Sequence, residues 1–218
     1  LDIIFFKMKT EVIFDIETQR WFDEVGEDNH KALGVSIVSL YSRKVEEKEI
    51  EGRTIPSEVD GKMLSFWEKE LSSMWQIFQS ADRIIGFNTI GFDVPVLEPY
   101  TNFPLKKLPH LDILSKVKEA FGRRISLDVI AKETLGRGKT EEGSIATELW
   151  AKGDKKSLER LKAYCEADVA ITKDIYDFVL KNGYLSFKDK WNTPRKLELD
   201  FGYPKDDVRE RQIGLFRS

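Results

Sequence analysis

The spacing of apolar residues along the chain predicts several strands followed by alternating helices and strands. Three runs rich in β-branched and aromatic residues, at 11–16, 34–41 and 44–52, predict three strands joined by hairpin-like connections. Apolar side chains at spacings of three and four over residues 59–80 predict an amphipathic helix. A short apolar run over residues 83–87 then predicts a fourth strand.

The chain from residue 88 to residue 182 continues this alternation. We predict a loop and helix over 88–100, a fifth strand over 108–113, and helices over 115–121, 126–134, 144–150 and 155–180. Beyond Asn182 the pattern loses its period and predicts an irregular tail docked on the preceding domain. The order of elements predicts an α/β fold with a central mixed five-stranded sheet flanked by helices.

Length and composition predict a single domain. The 218 residues are 41% hydrophobic and include fourteen Phe and five Trp, enough to fill a substantial core. We assign residues 1–9 to an N-terminal extension, because Met8 resembles a natural start, 10–182 to the domain and 183–218 to the tail. No apolar run is long enough to cross a bilayer, so we expect no membrane partner.

Charge and cysteine content narrow the class of protein only slightly. The formal net charge of −3 arises from 35 basic and 38 acidic side chains, a balance that neither indicates nor excludes a nucleic-acid partner. Cys165 is the only cysteine, which excludes an internal disulfide framework and a Cys-rich zinc site. A reducing compartment is expected, and we predict a cytoplasmic protein. The oligomeric state is left open.

Two carboxylates end the first predicted strand. Asp15 and Glu17 are two residues apart, so their side chains project from the same face and can share a metal ion. A short acidic pair is by itself more often an exposed strand end. Its position after an otherwise apolar run favours a functional site.

A second candidate follows the fourth predicted strand, in the sequence Gly-Phe-Asn-Thr-Ile-Gly-Phe-Asp that ends at Asp93. An aspartate at a helix N-terminus has an ordinary role, since it stabilises the helix dipole. However, α/β sheets bind ligands at the carboxyl ends of parallel strands, where the first and fourth strands are both expected to end.

A third candidate lies in the long predicted helix. Tyr164 and Asp168 are four residues apart and share a helical face, beside an apolar stripe that includes Ile171 and Ile175. A buried tyrosine with an aspartate at the edge of the core is the ordinary interpretation. An inward-facing aspartate needs a partner, and a metal ion supplies one.

Together and in this order, the three motifs resemble the DEDD 3′–5′ exonucleases of the ribonuclease H-like superfamily. Gly-Phe-Asn-x-x-x-Phe-Asp and Tyr-Cys-x-x-Asp are similar to the proofreading exonuclease domain of family B DNA polymerases, although we expect a stand-alone relative. The resemblance covers residues 10–180 and implies a ribonuclease H-like fold. Ala163 stands where the histidine subclass has its histidine, so the chain resembles the tyrosine subclass, DEDDy.

The resemblance implies a centre of two divalent ions, Mg²⁺ or Mn²⁺, which prefer oxygen ligands. It implies that Asp15 bridges both ions, that Glu17 and Asp168 complete one ion's site, and that Asp93 acts largely through water on the other. Tyr164 is expected to orient the attacking water, because a phenol with an ordinary pKa near 10 is a poor base at neutral pH.

The substrate implied by the resemblance is the 3′ end of single-stranded nucleic acid, with DNA slightly favoured over RNA. Thr18, Asn88 and Phe92 are expected to contact it, with core packing as the alternative for Phe92. Basic residues between the second and third motifs could follow the strand's backbone or form solvated helix faces; they are Arg123, Arg124, Arg137, Lys139, Lys152, Lys155, Lys156 and Arg160.

Two other functions stay open from the sequence. One is a non-catalytic nucleic-acid-binding module, which the presence of all four carboxylates and the tyrosine disfavours. The other is a structure-specific endonuclease on the same scaffold. An exonuclease needs a free end, so a circular substrate separates it from the endonuclease.

Overall fold

The computed structural model describes residues 8–50, 53–138 and 145–203. The strands are β1 Met8–Thr18, β2 Val35–Ile50, β3 Arg53–Trp67, β4 Arg83–Gly86, β5 His110–Asp112, β6 Tyr184–Lys188 and β7 Pro194–Glu198. The α-helices are α1 Phe22–Val25, α2 Trp75–Gln79, α3 Asp93–Leu97, α4 Ile113–Phe121, α5 Leu127–Leu135, α6 Ile145–Lys152 and α7 Lys155–Asn182. Short 3₁₀ helices lie at His30–Ala32, Glu68–Ser73, Glu98–Tyr100 and Leu105–Lys107.

Five strands form one mixed sheet in the order β3-β2-β1-β4-β5. β1, β2 and β3 are antiparallel neighbours, whereas β4 runs parallel to both β1 and β5. The predicted α/β fold with a central mixed five-stranded sheet is confirmed. Because β1, β4 and β5 run in the same direction, their C-terminal ends lie at one edge of the sheet, which we call the carboxyl edge.

The predicted helix over residues 59–80 is wrong in its first part, because β3 continues to Trp67. Met63 packs against the core on one face of the sheet, and Leu64 and Phe66 pack against the core on the other. A strand with apolar side chains on both faces does not show the alternation of a strand with one exposed face, so its apolar positions imitated a helical spacing. Helical structure begins with the 3₁₀ turn at Glu68–Ser73 and α2.

The three strands predicted at the start of the chain are two strands in the structure. β2 extends from Val35 to Ile50, and so covers residues 35–41 of the second predicted run and 44–50 of the third. It pairs with β3 in a long hairpin whose register ends at Ile50 opposite Arg53. Ser42 and Arg43 lie between the runs 34–41 and 44–52, and they interrupt the apolar pattern, so the sequence predicts two strands there.

The predicted tail is docked, as expected, but it is not irregular throughout. β6 and β7 form an antiparallel hairpin, and Phe187 on β6 contacts the Phe121 ring with 4.8 Å between centroids. Phe201 is buried beside Tyr176 of α7. Residues 204–218 lie outside the described ranges, as do 1–7 at the other end, where β1 already begins at Met8. Among the described helices, none has the length and apolar character required to cross a membrane.

A buried ionic network joins the sheet, α7 and the C-terminal segment at the edge opposite the carboxyl edge. The Glu11 carboxylate is fully buried and accepts hydrogen bonds from Arg43 at 2.9 Å, Tyr176 at 2.7 Å and Tyr203 at 2.9 Å. Arg43 also donates to Asp177 of α7 at 2.7 Å. Each charge is therefore matched by an opposite charge or a hydroxyl donor.

We expect Arg43→Ala to lower the free energy of unfolding by about 3–5 kcal/mol, because it leaves the buried Glu11 carboxylate without its cation. Urea denaturation followed by circular dichroism measures the change. Lys44→Ala is the matched control, since Lys44 is the next residue on the same strand and is exposed. Equal stability of the two variants would contradict a structural role for the network.

Candidate metal centre at the carboxyl edge of the sheet

β1 delivers two carboxylates to the carboxyl edge. Asp15 and Glu17 lie opposite Ser39 and Ile37 of β2, on the same face of the strand, and both are half-buried. The Cys165 thiol on α7 donates to the Asp15 carbonyl oxygen at 3.5 Å and lies 4.0 Å from its carboxylate oxygen Oδ2. One ligand atom from each of the three side chains lies within 4.8 Å of the others. Two carboxylates and a thiol therefore face one small volume.

The Cys165 thiol is unsuited to bind a metal in this position. Burial raises its pKa well above the ordinary value, and the negative charges of Asp15 and Glu17 raise it further. The thiol therefore stays protonated at neutral pH, whereas a metal ligand must be a thiolate. The available donors are oxygens, which suit Mg²⁺ or Mn²⁺ better than zinc.

The loop after β4 brings Asp93 to the same edge. Asp93 opens α3 and is 3% exposed. Its carboxylate accepts hydrogen bonds from its own backbone N–H and from that of Ile16, the residue between Asp15 and Glu17. Burial raises the pKa of Asp93 to about 7, and the negative charge of Asp112 contributes in the same direction. A buried carboxylate of this kind is stabilised by a cation.

α7 contributes Tyr164 and Asp168 from the opposite side of this volume. Both side chains are buried, and the Tyr164 hydroxyl is hydrogen-bonded to the Asp168 carboxylate one helical turn later. Burial raises the pKa of Tyr164 above its ordinary range, with further contributions from the charges of Asp168, Glu17 and Asp15. The hydroxyl therefore stays protonated and acts as a hydrogen-bond donor. The structure thus brings the four predicted carboxylates and the predicted tyrosine to one edge of the sheet.

The three predicted substrate contacts lie on segments that border this volume. Thr18 follows Glu17 directly, beyond an irregularity in the β1–β2 register, and its hydroxyl donates to the Arg20 carbonyl at 3.1 Å. Asn88 adopts a left-handed backbone conformation with φ of 66° in the loop that leads to Asp93. Phe92 packs edge-on against the rings of Phe22 and His30, so this side chain has the packing role raised as the alternative.

Asp112 is a positioning residue that the sequence pattern did not single out. Its carboxylate accepts the backbone N–H groups of Asn88 at 2.9 Å and Ile90 at 3.0 Å, and it caps α4 through Ser115 at 3.2 Å. It therefore fixes the loop that carries Asp93. The sequence signal that could have identified Asp112 was its position at the end of the fifth predicted strand, because α/β sheets bind ligands at the carboxyl ends of parallel strands.

Gly86 allows this loop to lie close to the sheet. A Cβ at this position would overlap the Thr89 side chain and lie 3.1 Å from the carbonyl oxygen of Phe14. Glycine is the residue that permits such a close approach. Close packing against Thr89 and Phe14 therefore requires a glycine at the end of the fourth predicted strand.

Two tryptophans at the edge of the site were also missed. Glu17, Ile37 and Trp67 are in register across β1, β2 and β3, so their side chains project from the same face of the sheet. Trp67 stacks on Trp150 of α6 with ring centroids 6.3 Å apart. The pair packs against the hydrophobic cluster that contains Tyr164 and Cys165. Its members are 83 positions apart, and no local spacing connects them.

Comparisons with known proteins agree with this fold. A family model described as the RNase_H superfamily matches residues 12–180. A solved structure of the family B DNA polymerase from the hyperthermophilic archaeon Pyrobaculum calidifontis is similar over 79% of this chain, with a TM-score of 0.54 and 19% sequence identity. The chain covers 24% of that polymerase, so it spans about a quarter of its length.

Because the sequence identity is only 19%, the comparison with the polymerase establishes a shared fold and nothing finer. A search of curated proteins found no match. The family model, in contrast, covers most of the chain, from β1 to the end of α7, and so includes every element that carries the carboxylates. The ribonuclease H-like fold predicted from the resemblance is confirmed: this chain belongs to the RNase_H superfamily.

Proposed function

We propose that the protein is a metal-dependent 3′–5′ exonuclease that hydrolyses phosphodiester bonds of single-stranded nucleic acid. The observation that carries the proposal is the meeting of Asp15, Glu17, Asp93 and Asp168 with Tyr164 at the carboxyl edge. Each of these side chains has an ordinary explanation alone. Five polar groups on three separate segments, most of them buried, have little structural purpose at one place unless they bind a cation.

The four carboxylates are proposed as the ligands of two divalent ions. An all-oxygen donor set suits Mg²⁺ or Mn²⁺. The raised pKa of the buried Asp93 is expected of a carboxylate that lacks a nearby cation. When bound, two such ions neutralise charge on the phosphate and favour the attack of water on phosphorus. Asp15 and Glu17 at the end of β1, and Asp168 on α7, would hold them from two sides.

Tyr164 is proposed to orient the attacking water rather than to deprotonate it. Its hydroxyl stays protonated because burial and the surrounding carboxylates raise its pKa. The hydrogen bond with Asp168 fixes the ring beside the proposed ligands. A protonated phenol cannot remove a proton from water, but while its O–H group bonds to Asp168 its oxygen can accept a hydrogen bond from that water.

The terminal nucleotide is proposed to lie between the end of β1 and the loop after β4, where Thr18, Asn88 and Phe92 border the site. The Asn88 side chain offers both a donor and an acceptor to a base or sugar. We favour DNA as the substrate because the similar solved structure is that of a DNA polymerase. The free, reduced Cys165 suits action in the cytoplasm.

Digestion of labelled strands tests the proposal. With Mg²⁺ or Mn²⁺, linear single-stranded DNA labelled at its 5′ end should yield a ladder that shortens from the 3′ end, with release of nucleoside monophosphates. The same strand closed into a circle should stay intact, because an exonuclease requires an end. Parallel reactions with RNA rank the two substrates. Cleavage of the circle would establish an endonuclease, and intact linear strands with either metal would overturn hydrolysis altogether.

A further inference from the structure

A basic cleft with an exposed tryptophan lies outside the carboxylate site. It is formed by the α4–α5 connection on one side and the β6–β7 hairpin on the other, and it has a volume of about 580 Å³. We call it the hairpin cleft; the lining residues that matter here are Arg123, Arg124, Lys188, Lys190, Trp191 and Arg195. Phe121 and Phe187 pack at its base and attach the hairpin to the domain.

The cleft carries an excess of positive charge that the residues in the described ranges do not neutralise. Arg195 pairs with Asp189 at 2.8 Å, and Lys188 pairs with Glu133 at 3.1 Å. Arg123 and Arg124 are both exposed and form no ion pair with any residue in the described ranges. The protein as a whole has a net charge of −3, so this concentration of cations is local. Such a surface attracts a polyanion.

Trp191 is held in an exposed position at the tip of the hairpin. It is 67% exposed, and the Lys190 amino group lies 4.3 Å from the centroid of its ring. The Asp189 carboxylate accepts the backbone N–H groups of Trp191 at 3.0 Å and Thr193 at 3.1 Å, and also the Arg195 guanidinium at 2.8 Å. These bonds fix the turn, so a large apolar ring is presented to solvent by a rigid segment.

We propose that the hairpin cleft binds single-stranded nucleic acid, with a base stacked on Trp191 and phosphates contacted by Arg123 and Arg124. An aromatic ring beside cations that pair with no described residue is the combination that binds single strands without sequence preference. A duplex fits less well, because its bases are already stacked and cannot cover the indole. An acidic peptide would use the cations but would leave the ring without a flat partner.

The position of the cleft assigns it to the part of the strand away from the 3′ end, a role that rests on the proposed exonuclease function. Asp112, which fixes the Asp93 loop, caps the N-terminus of α4, and this helix ends at Phe121 in the cleft. Its nine residues span about 14 Å, so one nucleotide cannot occupy both places. The cleft would hold the strand while its end is shortened.

Binding measured without catalysis tests the cleft separately from the exonuclease. Fluorescence anisotropy of a labelled 20-residue oligothymidylate is followed in EDTA, where hydrolysis does not occur. We expect Trp191→Ala to weaken binding by about ten-fold or more, because one base–aromatic stack is lost. Trp191→Phe should retain most of the affinity, because a phenyl ring can still stack on a base. The double variant Arg123→Ala, Arg124→Ala should reduce the magnitude of the slope of log K against log salt by about 1.4. This is the change expected from the loss of two phosphate contacts with a single strand.

The control is Lys106→Ala with Lys107→Ala, an equal change in charge at an exposed site on another element, which should alter the slope much less. Thermal melting confirms that each variant is folded. Unchanged affinity in Trp191→Ala overturns the proposal, as does wild-type protein that fails to bind the oligonucleotide. Displacement of the oligonucleotide by polyglutamate at equal charge concentration would identify a surface for acidic proteins and overturn it too. Each result is independent of whether the strand is hydrolysed.

Discussion

Replacing Asp15 by alanine is expected to lower the rate of hydrolysis of single-stranded DNA by about 10³-fold or more, whereas Tyr164→Phe should lower it by only about ten-fold. A divalent ion contributes several kcal/mol to transition-state stabilisation, and each 1.4 kcal/mol is a factor of ten in rate. Removing the tyrosine hydroxyl removes one hydrogen bond, about 1.5 kcal/mol at most. Initial rates on a 5′-labelled oligonucleotide in saturating Mg²⁺ measure both variants.

The difference between these two variants distinguishes orientation of water from general-base catalysis. If Tyr164 accepted the proton from water, its loss would cost as much as the loss of a ligand. Asp60→Ala is the matched control, because Asp60 is an exposed aspartate on β3 of the same sheet. Full activity of Asp15→Ala would remove Asp15 from the proposed site. A Tyr164→Phe variant as inactive as Asp15→Ala would contradict the positioning role.

The parts of the site that could be predicted from the sequence are those with a local pattern. Asp15 and Glu17 are adjacent on one strand face, and Tyr164 and Asp168 are one helical turn apart. Each pair has a spacing that corresponds to one element of secondary structure. In the structure β1 and α7 bring these two pairs together at one edge of the sheet. Metal binding by these side chains stays a proposal.

The parts that could not be predicted depend on partners distant in sequence. Asp112 supports the Asn88 loop from 24 positions away, and the Arg43 partner Asp177 is 134 positions from it. Glu11 lies in a run interpreted as an apolar strand, although its side chain is at the centre of an ionic network. Pairing across a sheet and onto a helix has no periodic signal, so only the folded arrangement reveals it.

The misassigned helix over residues 59–67 has a related cause. The pattern of apolar and polar residues identifies a strand when one face of the strand is exposed to solvent, because apolar and polar residues then alternate. β3 packs Met63 on one face of the sheet and Leu64 and Phe66 on the other, so the alternation is absent. The length of the apolar pattern then favoured a helix. The error changed no site residue, yet it concealed Trp67, whose position on the same face of the sheet as Glu17 follows only from the strand register.

Asp93→Asn is expected to have two opposite effects, a loss of activity of about 10²-fold or more and a gain in thermal stability in metal-free buffer at pH 8. The activity falls because a proposed ligand loses its charge and binds the ion less well. A bound ion contributes several kcal/mol to transition-state stabilisation. The stability rises because burial raises the pKa of Asp93 from 3.8 to about 7, so above that pH the folded protein holds an ionised carboxylate in a poorly solvated place. An asparagine accepts the same hydrogen bonds without charge.

The pH dependence follows from the direction of this shift. The folded state binds the Asp93 proton more tightly than the unfolded state, so the stabilising contribution is complete below pH 3.8 and is lost as the pH rises through about 7. Melting temperatures between pH 5 and pH 8 in EDTA should therefore fall more steeply for the wild type than for Asp93→Asn. Mg²⁺ at pH 8 should raise the wild-type value and leave the variant nearly unchanged. Asp60→Asn, exposed on β3, controls for the removal of a charge.

A lower melting temperature for Asp93→Asn at pH 8 would contradict this account, because it would mean that the ionised carboxylate stabilises the apo fold. The combination expected here, a more stable and less active variant, has a direct physical interpretation. Burial places Asp93 where its charge is unfavourable without a cation, and Asp112 fixes the loop that holds it there. The stability lost by the metal-free protein is then recovered as affinity for the ion, so the same side chain determines both quantities.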